Sequence, residues 1–202
     1  MSKVKTKKHD TFIDMTAMSD VTVLLLTFFM LTATFIPIEP VQVFTPGSAS
    51  ETKVPDYDVI TVIIDPAGKI YLNMDRPDNK REILERMGGY YNVAFSEKDK
   101  NVFAESTTFA AVPMGQMKTY LSKDMSDRDE MIKQLNGIPN DSINNQFAEW
   151  IRAAKDVNDN LAIAIKADQN TPYPLVQGVI SKLQDIKENR FSLITTLRGM
   201  EE

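Results

Sequence analysis

Sixteen consecutive residues, Val21 to Ile36 (VTVLLLTFFMLTATFI), carry no charge, and they follow directly on an aspartate, Asp20. With Ala17 to Asp20 included, the run reaches the ~20 residues that a helix needs to cross a bilayer, and Pro37 closes it. Lys3, Lys5, Lys7 and Lys8 precede it, whereas the sequence after Pro37 is acidic. That asymmetry is expected to leave the N-terminus in the cytoplasm and everything beyond Pro37 outside it. A cleaved signal peptide also begins with lysines and continues with an apolar run. Here Asp10, Asp14 and Asp20 interrupt that pattern, and Thr-Phe-Ile-Pro stands where small residues should mark a cleavage site.

An ionised aspartate near the centre of a membrane helix costs roughly 2.5 to 3.5 kcal/mol on insertion scales, less near an end. Asp20 therefore calls for a reason. A carboxylic acid can exist charged or neutral, which is what a proton carrier requires. At 100° per residue, Thr16, Thr27 and Thr34 fall within about 40° of Asp20, giving one polar seam on an otherwise apolar cylinder. Such a seam would be shielded by partner helices, because one helix cannot hide a carboxylate from lipid. The competing reading has Asp20 snorkelling to the cytoplasmic headgroups and each threonine satisfying a carbonyl of its own helix.

Composition removes several function classes. The chain has no cysteine, and its one histidine, His9, lies in the charged N-terminal tail. A disulfide framework, a thiol nucleophile, a Cys- or His-ligated metal and a His-dependent triad are all excluded from the folded part. Carboxylate-only chemistry and Mg or Ca binding by Asp and Glu stay formally open, but no phosphate-loop, dinucleotide or EF-hand pattern appears, so no cofactor or metal is implied and an enzyme is not expected. A nucleic-acid partner would need clustered Lys and Arg, which the sequence lacks.

Beyond the anchor, residues 37–56 hold Pro37, Pro40, Pro46 and Pro55 around Gly47-Ser-Ala-Ser and read as a tether that can extend on the order of 60 to 70 Å, with Val41-Gln-Val-Phe able to pair as a short strand. Val59 to Ile64, the turn Asp65-Pro-Ala-Gly-Lys and Ile70 to Asn73 predict a hairpin. A helix is expected from Asp78 to Met87, started by an Asp or Asn cap and stopped by Gly88-Gly89. Further helices are expected at 114–122, at 127–136 with Ser126 as cap, and at 142–156, where Phe147, Trp150, Ile151 and Ala154 form an apolar stripe suited to a core. Leu161 to Lys166, a loop through Asp168 and Asn170, a helix from Pro172 to Glu188 and Phe191 to Leu197 predict a strand, a crossover helix and a parallel strand.

The run from Phe12 through Asp20 to Thr32 resembles the N-terminal signature of the ExbD/TolR family, the small stator subunits of proton-driven envelope motors. A second segment, Ile163-Ala-Ile-Lys-Ala-Asp168 with Thr171-Pro-Tyr-Pro-Leu-Val and on to Leu183, Phe191 and Leu197, is similar to the closing strand-helix-strand of the same family. With the hairpin at 59–73, the resemblance covers roughly two thirds of the chain.

The resemblance implies a dimer whose two membrane helices sit in the pore of an ExbB-type ring, with Asp20 accepting the proton. It implies an inner-membrane, single-pass protein with a cytoplasmic basic tail (1–16), a transmembrane helix (17–36), the tether (37–56) and a periplasmic α+β domain (57–202). That domain is a small sheet with helices packed on it. TonB or the cell wall is the implied outer partner, and Leu183 and Tyr173 are the implied coupling positions, Leu183 reading equally well as plain core. An ExbD-like role with a TonB-like protein is the expectation; a TolR-like role, or an anchored peptidoglycan- or protein-binding module, is the alternative. Two departures stand out at the helix entry: Ala17 where the family has proline, and Asp14 where it has asparagine. A third is a helical insertion of roughly 60 residues at about 90–156.

Overall fold

In the computed structural model the described residues are 15–33, 41–48, 55, 57–106, 108–141 and 144–197. The chain divides into two compact units, Met1–Pro37 and Ile38–Glu202.

The hairpin that the sequence predicts lies in the middle of the sheet of the larger unit. β2 (Val59–Ile64) pairs antiparallel with β3 (Ile70–Met74), Ile64 opposite Ile70 and Ile60 opposite Met74. The turn is held by Asp65, whose carboxylate accepts from the Lys69 N–H at 2.8 Å while its carbonyl accepts from the Gly68 N–H at 2.9 Å. Gly68 takes φ +82°, which a side chain resists. β5 (Ala162–Ala167) lies parallel to β2, and β6 (Phe191–Leu193) lies parallel to β5. The crossover between them is α7 (Tyr173–Asp185), as the sequence predicts. β4 (Thr108–Ala110) adds antiparallel to β3, so the described sheet runs β4-β3-β2-β5-β6. Ile60, Val62 and Ile64 are buried, and so is Ile63 on the opposite face. This burial on both faces explains the unbroken β-branched run of β2.

The region from 90 to 156 is integral to this core. α2 (Pro77–Tyr91) packs against α6 (Gln146–Val157), whose Phe147, Trp150, Ile151 and Ala154 all face inward. α3 (Glu97–Glu105) sends Phe103 onto Trp150, with ring centroids 6.0 Å apart and 17° between planes. α4 (Met114–Leu121) and α5 (Met125–Gln134) contribute Met117, Leu121 and Ile132 to the same hydrophobic cluster as the sheet. Gly137 at φ +70° brings the chain back so that the Ile138 N–H bonds the Ile70 carbonyl at 2.9 Å. A Cβ at Gly137 would lie 2.7 Å from that carbonyl oxygen. Gly137→Ala is expected to cost about 2 kcal/mol or more from the left-handed backbone and the contact together, read as a lowered urea midpoint with the slope unchanged.

Several boundaries differ from the sequence expectation for identifiable reasons. α2 runs through Gly88-Gly89 and ends at Asn92, which takes φ +54°. Gly88 serves close packing instead of termination, since a Cβ there would meet the Val93 carbonyl oxygen at 2.6 Å. The N-cap of α2 is Arg76, with Pro77 opening the first turn. α5 is capped at Asp124, leaving Ser126 in the first turn. α6 starts at Gln146, where the Asn145 side chain accepts from the Ala148 N–H at 3.2 Å; residues 142–143 lie outside the described residues. α3 is absent from the sequence reading although Ser96 and Asp99 form a reciprocal capping box at its start. α7 opens at Tyr173, with Pro172 as its cap. The chain after β6 turns away, so Thr196–Leu197 forms β7 and pairs parallel with β1 (Gly47–Ser48). Val41 to Phe44 is no strand, because the backbone of Phe44 is taken by another partner, described below.

The smaller unit is described through α1 (Thr16–Thr32), 17 residues long. At 1.5 Å per residue that is about 26 Å, short of the ~30 Å hydrocarbon core. Among the described residues no helix is long and apolar enough to cross a membrane. Of the expected span of 17–36, α1 covers the part up to Thr32, with Ala33 extended behind it; residues 34–36 with Pro37 lie outside the described residues.

Candidate functional site: a carboxylate on an apolar helix

α1 forms because Leu, Met and Ala supply helix propensity and because its threonines satisfy themselves locally. Thr22 donates to the Met18 carbonyl at 2.7 Å, Thr27 to that of Leu24 at 2.9 Å and Thr32 to that of Phe28 at 2.8 Å. The helix puts Thr16 one turn before Asp20 and Thr27 two turns after it, on the same side. Thr34, the last member of the expected seam, lies outside the described residues. Unlike the threonines, the Asp20 carboxylate accepts no hydrogen bond among the described residues and is solvent-exposed in this unit.

None of α1 is buried: Val21, Val23, Leu24 to Leu26, Phe28, Phe29, Met30 and Leu31 are between 48 and 88% exposed. A helix that is apolar all round does not persist in water, and its surface needs lipid or partner helices. Any face that includes Asp20 then needs partners that tolerate or use a proton.

The two expected coupling positions differ in placement. Leu183, on the inner face of α7, is fully buried and belongs to the core, whereas Tyr173, at the start of that helix, is 69% exposed. Among the described residues no group of three or more His, Asp or Glu side chains is placed to hold a metal ion.

Asp168, at the end of β5, has a role that local sequence reading missed. Although only 5% exposed, it accepts from the Phe44 N–H at 2.8 Å, the Asn170 N–H at 2.9 Å and the Asn170 side-chain amide at 3.1 Å. The Gln169 N–H returns a bond to the Phe44 carbonyl at 2.7 Å, and the Thr196 N–H bonds the Pro46 carbonyl at 3.0 Å. Residues 41–48, within the expected tether, are thus fastened to the domain.

The backbone N–H of Asn170, then that of Phe44, hold the Asp168 carboxyl below its ordinary value of 3.8. A depressed carboxylate pKa gives an attachment that is complete above the ordinary value and is lost as the pH falls through the folded one. Asp168→Ala is therefore expected to free residues 41–48 at neutral pH. Wild type should release them only in acid below pH ~4, with amide exchange at Phe44 as the readout.

The chain matches the family model described as Biopolymer transport protein ExbD/TolR over residues 6–197. It belongs to the ExbD/TolR family. Comparison with curated proteins and with solved structures finds no match. Members of the family are biopolymer-transport proteins, typically anchored in the inner membrane and working with ExbB/TolQ-type and TonB/TolA-type partners.

Proposed function

We propose that this chain is the proton-motive-force-transducing stator subunit of an ExbB-ExbD-type inner-membrane motor that energises TonB-dependent transport. The observation that carries the reading is the single unpartnered carboxylate of Asp20 on a fully exposed apolar helix, in a chain of the ExbD/TolR family. Two copies place their α1 helices inside a ring of partner helices, with the N-terminus cytoplasmic and the α+β domain periplasmic. The seam of Thr16, Asp20, Thr27 and Thr34 faces that ring. Asp20 takes a proton from one side and releases it to the other, and each charge that crosses contributes about 2.3 kcal/mol per 100 mV. The alternation of neutral and charged acid moves the helix against the ring, and the periplasmic domain passes that work to a TonB-like protein without catalysing covalent chemistry. Tyr173, exposed at the start of α7, is the coupling position with surface to offer.

Extraction in mild detergent followed by affinity purification tests the assembly. The expected result is recovery of the chain with a multi-helix ring subunit in excess over it. Recovery with a TolA-type partner in place of a TonB-type one would move the reading to envelope maintenance. Recovery of the chain alone, or in water without detergent, would contradict it.

A further inference from the structure

Two cations, Lys80 of α2 and Arg128 of α5, converge on one serine without an acidic partner. Lys80 in α2 is only 4% exposed. Its ammonium donates to the Ser106 carbonyl at 2.8 Å and to the Ala104 carbonyl at 3.4 Å, leaving its third N–H over. Arg128, in the first turns of α5, donates from Nη1 to the Ser106 hydroxyl at 3.3 Å and stands 6.0 Å above the Tyr120 ring. Neither cation forms an ion pair among the described residues. The acids nearest in sequence or charge are Asp75, which acts on Lys80 through space, and Asp127 and Asp129 beside Arg128.

Two polar atoms are buried without a hydrogen-bond partner: Nε of Arg128 itself and the hydroxyl of Thr108, in β4, two residues along the chain from Ser106. Native proteins rarely leave such groups unpaired. With Nη1 committed to Ser106, the remaining edge of the guanidinium presents Nε–H and an Nη2–H in parallel, the fork that matches two oxygens of one oxyanion. Tyr120 supports the plane of that fork.

We propose that Arg128, Lys80 and Thr108 form a binding site for a single oxyanion group, a phosphate or a carboxylate, where α2, β4 and the start of α5 meet around Ser106. The Arg128 fork grips two oxygens, Lys80 supplies charge from the far side of Ser106, and Thr108 donates its hydroxyl. The site is independent of the proton-driven reading, since none of its residues lies on α1.

The test uses the full chain in detergent, titrated with sodium phosphate and, separately, sodium acetate at constant ionic strength against sodium chloride. The Arg128 Nε–H resonance should shift saturably, with a dissociation constant on the order of 1 mM. By calorimetry Arg128→Lys, which keeps the charge and loses the fork, should weaken binding about tenfold or more. Tighter binding of phosphate identifies a phosphate-bearing ligand, and tighter binding of acetate a carboxylate such as a peptide C-terminus. A shift that chloride reproduces, no shift with either anion, or full affinity in Arg128→Lys would overturn the proposal. The wild-type resonance reports whether or not the variant folds.

Discussion

Trp150→Ala should lower stability by about 3 to 5 kcal/mol, a large fraction of the total that a typical domain has. Trp150 is fully buried, stacks on Phe103 of α3 and stands on the inward face of α6 against α2. Its removal opens a cavity that three elements must collapse to fill. Because the insertion and the sheet share one hydrophobic cluster, the loss should spread to the sheet. Amide exchange at Val62 and Ile165 should accelerate together with exchange in α6. An insertion that merely hung on the family domain would let α6 open while those strands kept their protection. Trp150 is the only tryptophan of the chain, so denaturation is best followed by far-ultraviolet circular dichroism. The urea midpoint should fall by about 1.5 to 2 M, and the exposed Arg152→Ala, on the same helix, should shift it little.

Legibility in the sequence followed the range over which each decision is made. The hairpin and the β5-α7-β6 crossover are set within short windows, by Asp65-Pro-Ala-Gly-Lys and by β-branched runs beside an amphipathic helix, and both were readable. Gly88-Gly89 read as a stop, because a glycine needed for close approach to the Val93 carbonyl looks the same in sequence as one needed for a left-handed cap. α3 carried a readable signal in Ser96 and Asp99, which passed unused; β4, three residues long, gave no period to detect. Asp168 was out of reach for a different reason: its partner Phe44 is 124 positions away, and only the folded chain brings them together. The expectation for Asp20 needs no tertiary information, because an acid beside an apolar run is anomalous in sequence alone. The burial of Leu183 was not legible, since an apolar residue on a crossover helix serves core or contact equally well.

The segment 90–156 shares one hydrophobic cluster with the sheet and does not stand apart from it. α2 precedes that segment and α6 closes it, leading through a short loop to β5. Lys155 fixes that junction by donating to the Leu161 carbonyl at 2.7 Å and pairing with Glu188 at 3.4 Å, so the end of α6, the start of β5 and the loop after α7 are tied at one point. Partly exposed pairs of this kind add modest stability, and their value here is in position.

Asp20→Asn should reduce transport driven by the proton-motive force to the level of cells lacking the chain. The amide is nearly the same size as the acid and preserves the helix, yet it neither binds nor releases a proton at physiological pH. Loss through misfolding is separable, because α1 and the domain are distinct units and the variant should still co-purify with its ring. Asp20→Glu keeps the titrating group but moves it by a methylene, so partial activity is expected from it. The direct measurement is proton flux and coupled uptake by the assembled complex, wild type against Asp20→Asn, at matched amounts in the membrane. The account predicts that Asn abolishes both while assembly persists; undiminished flux and uptake with Asn at position 20 would contradict it.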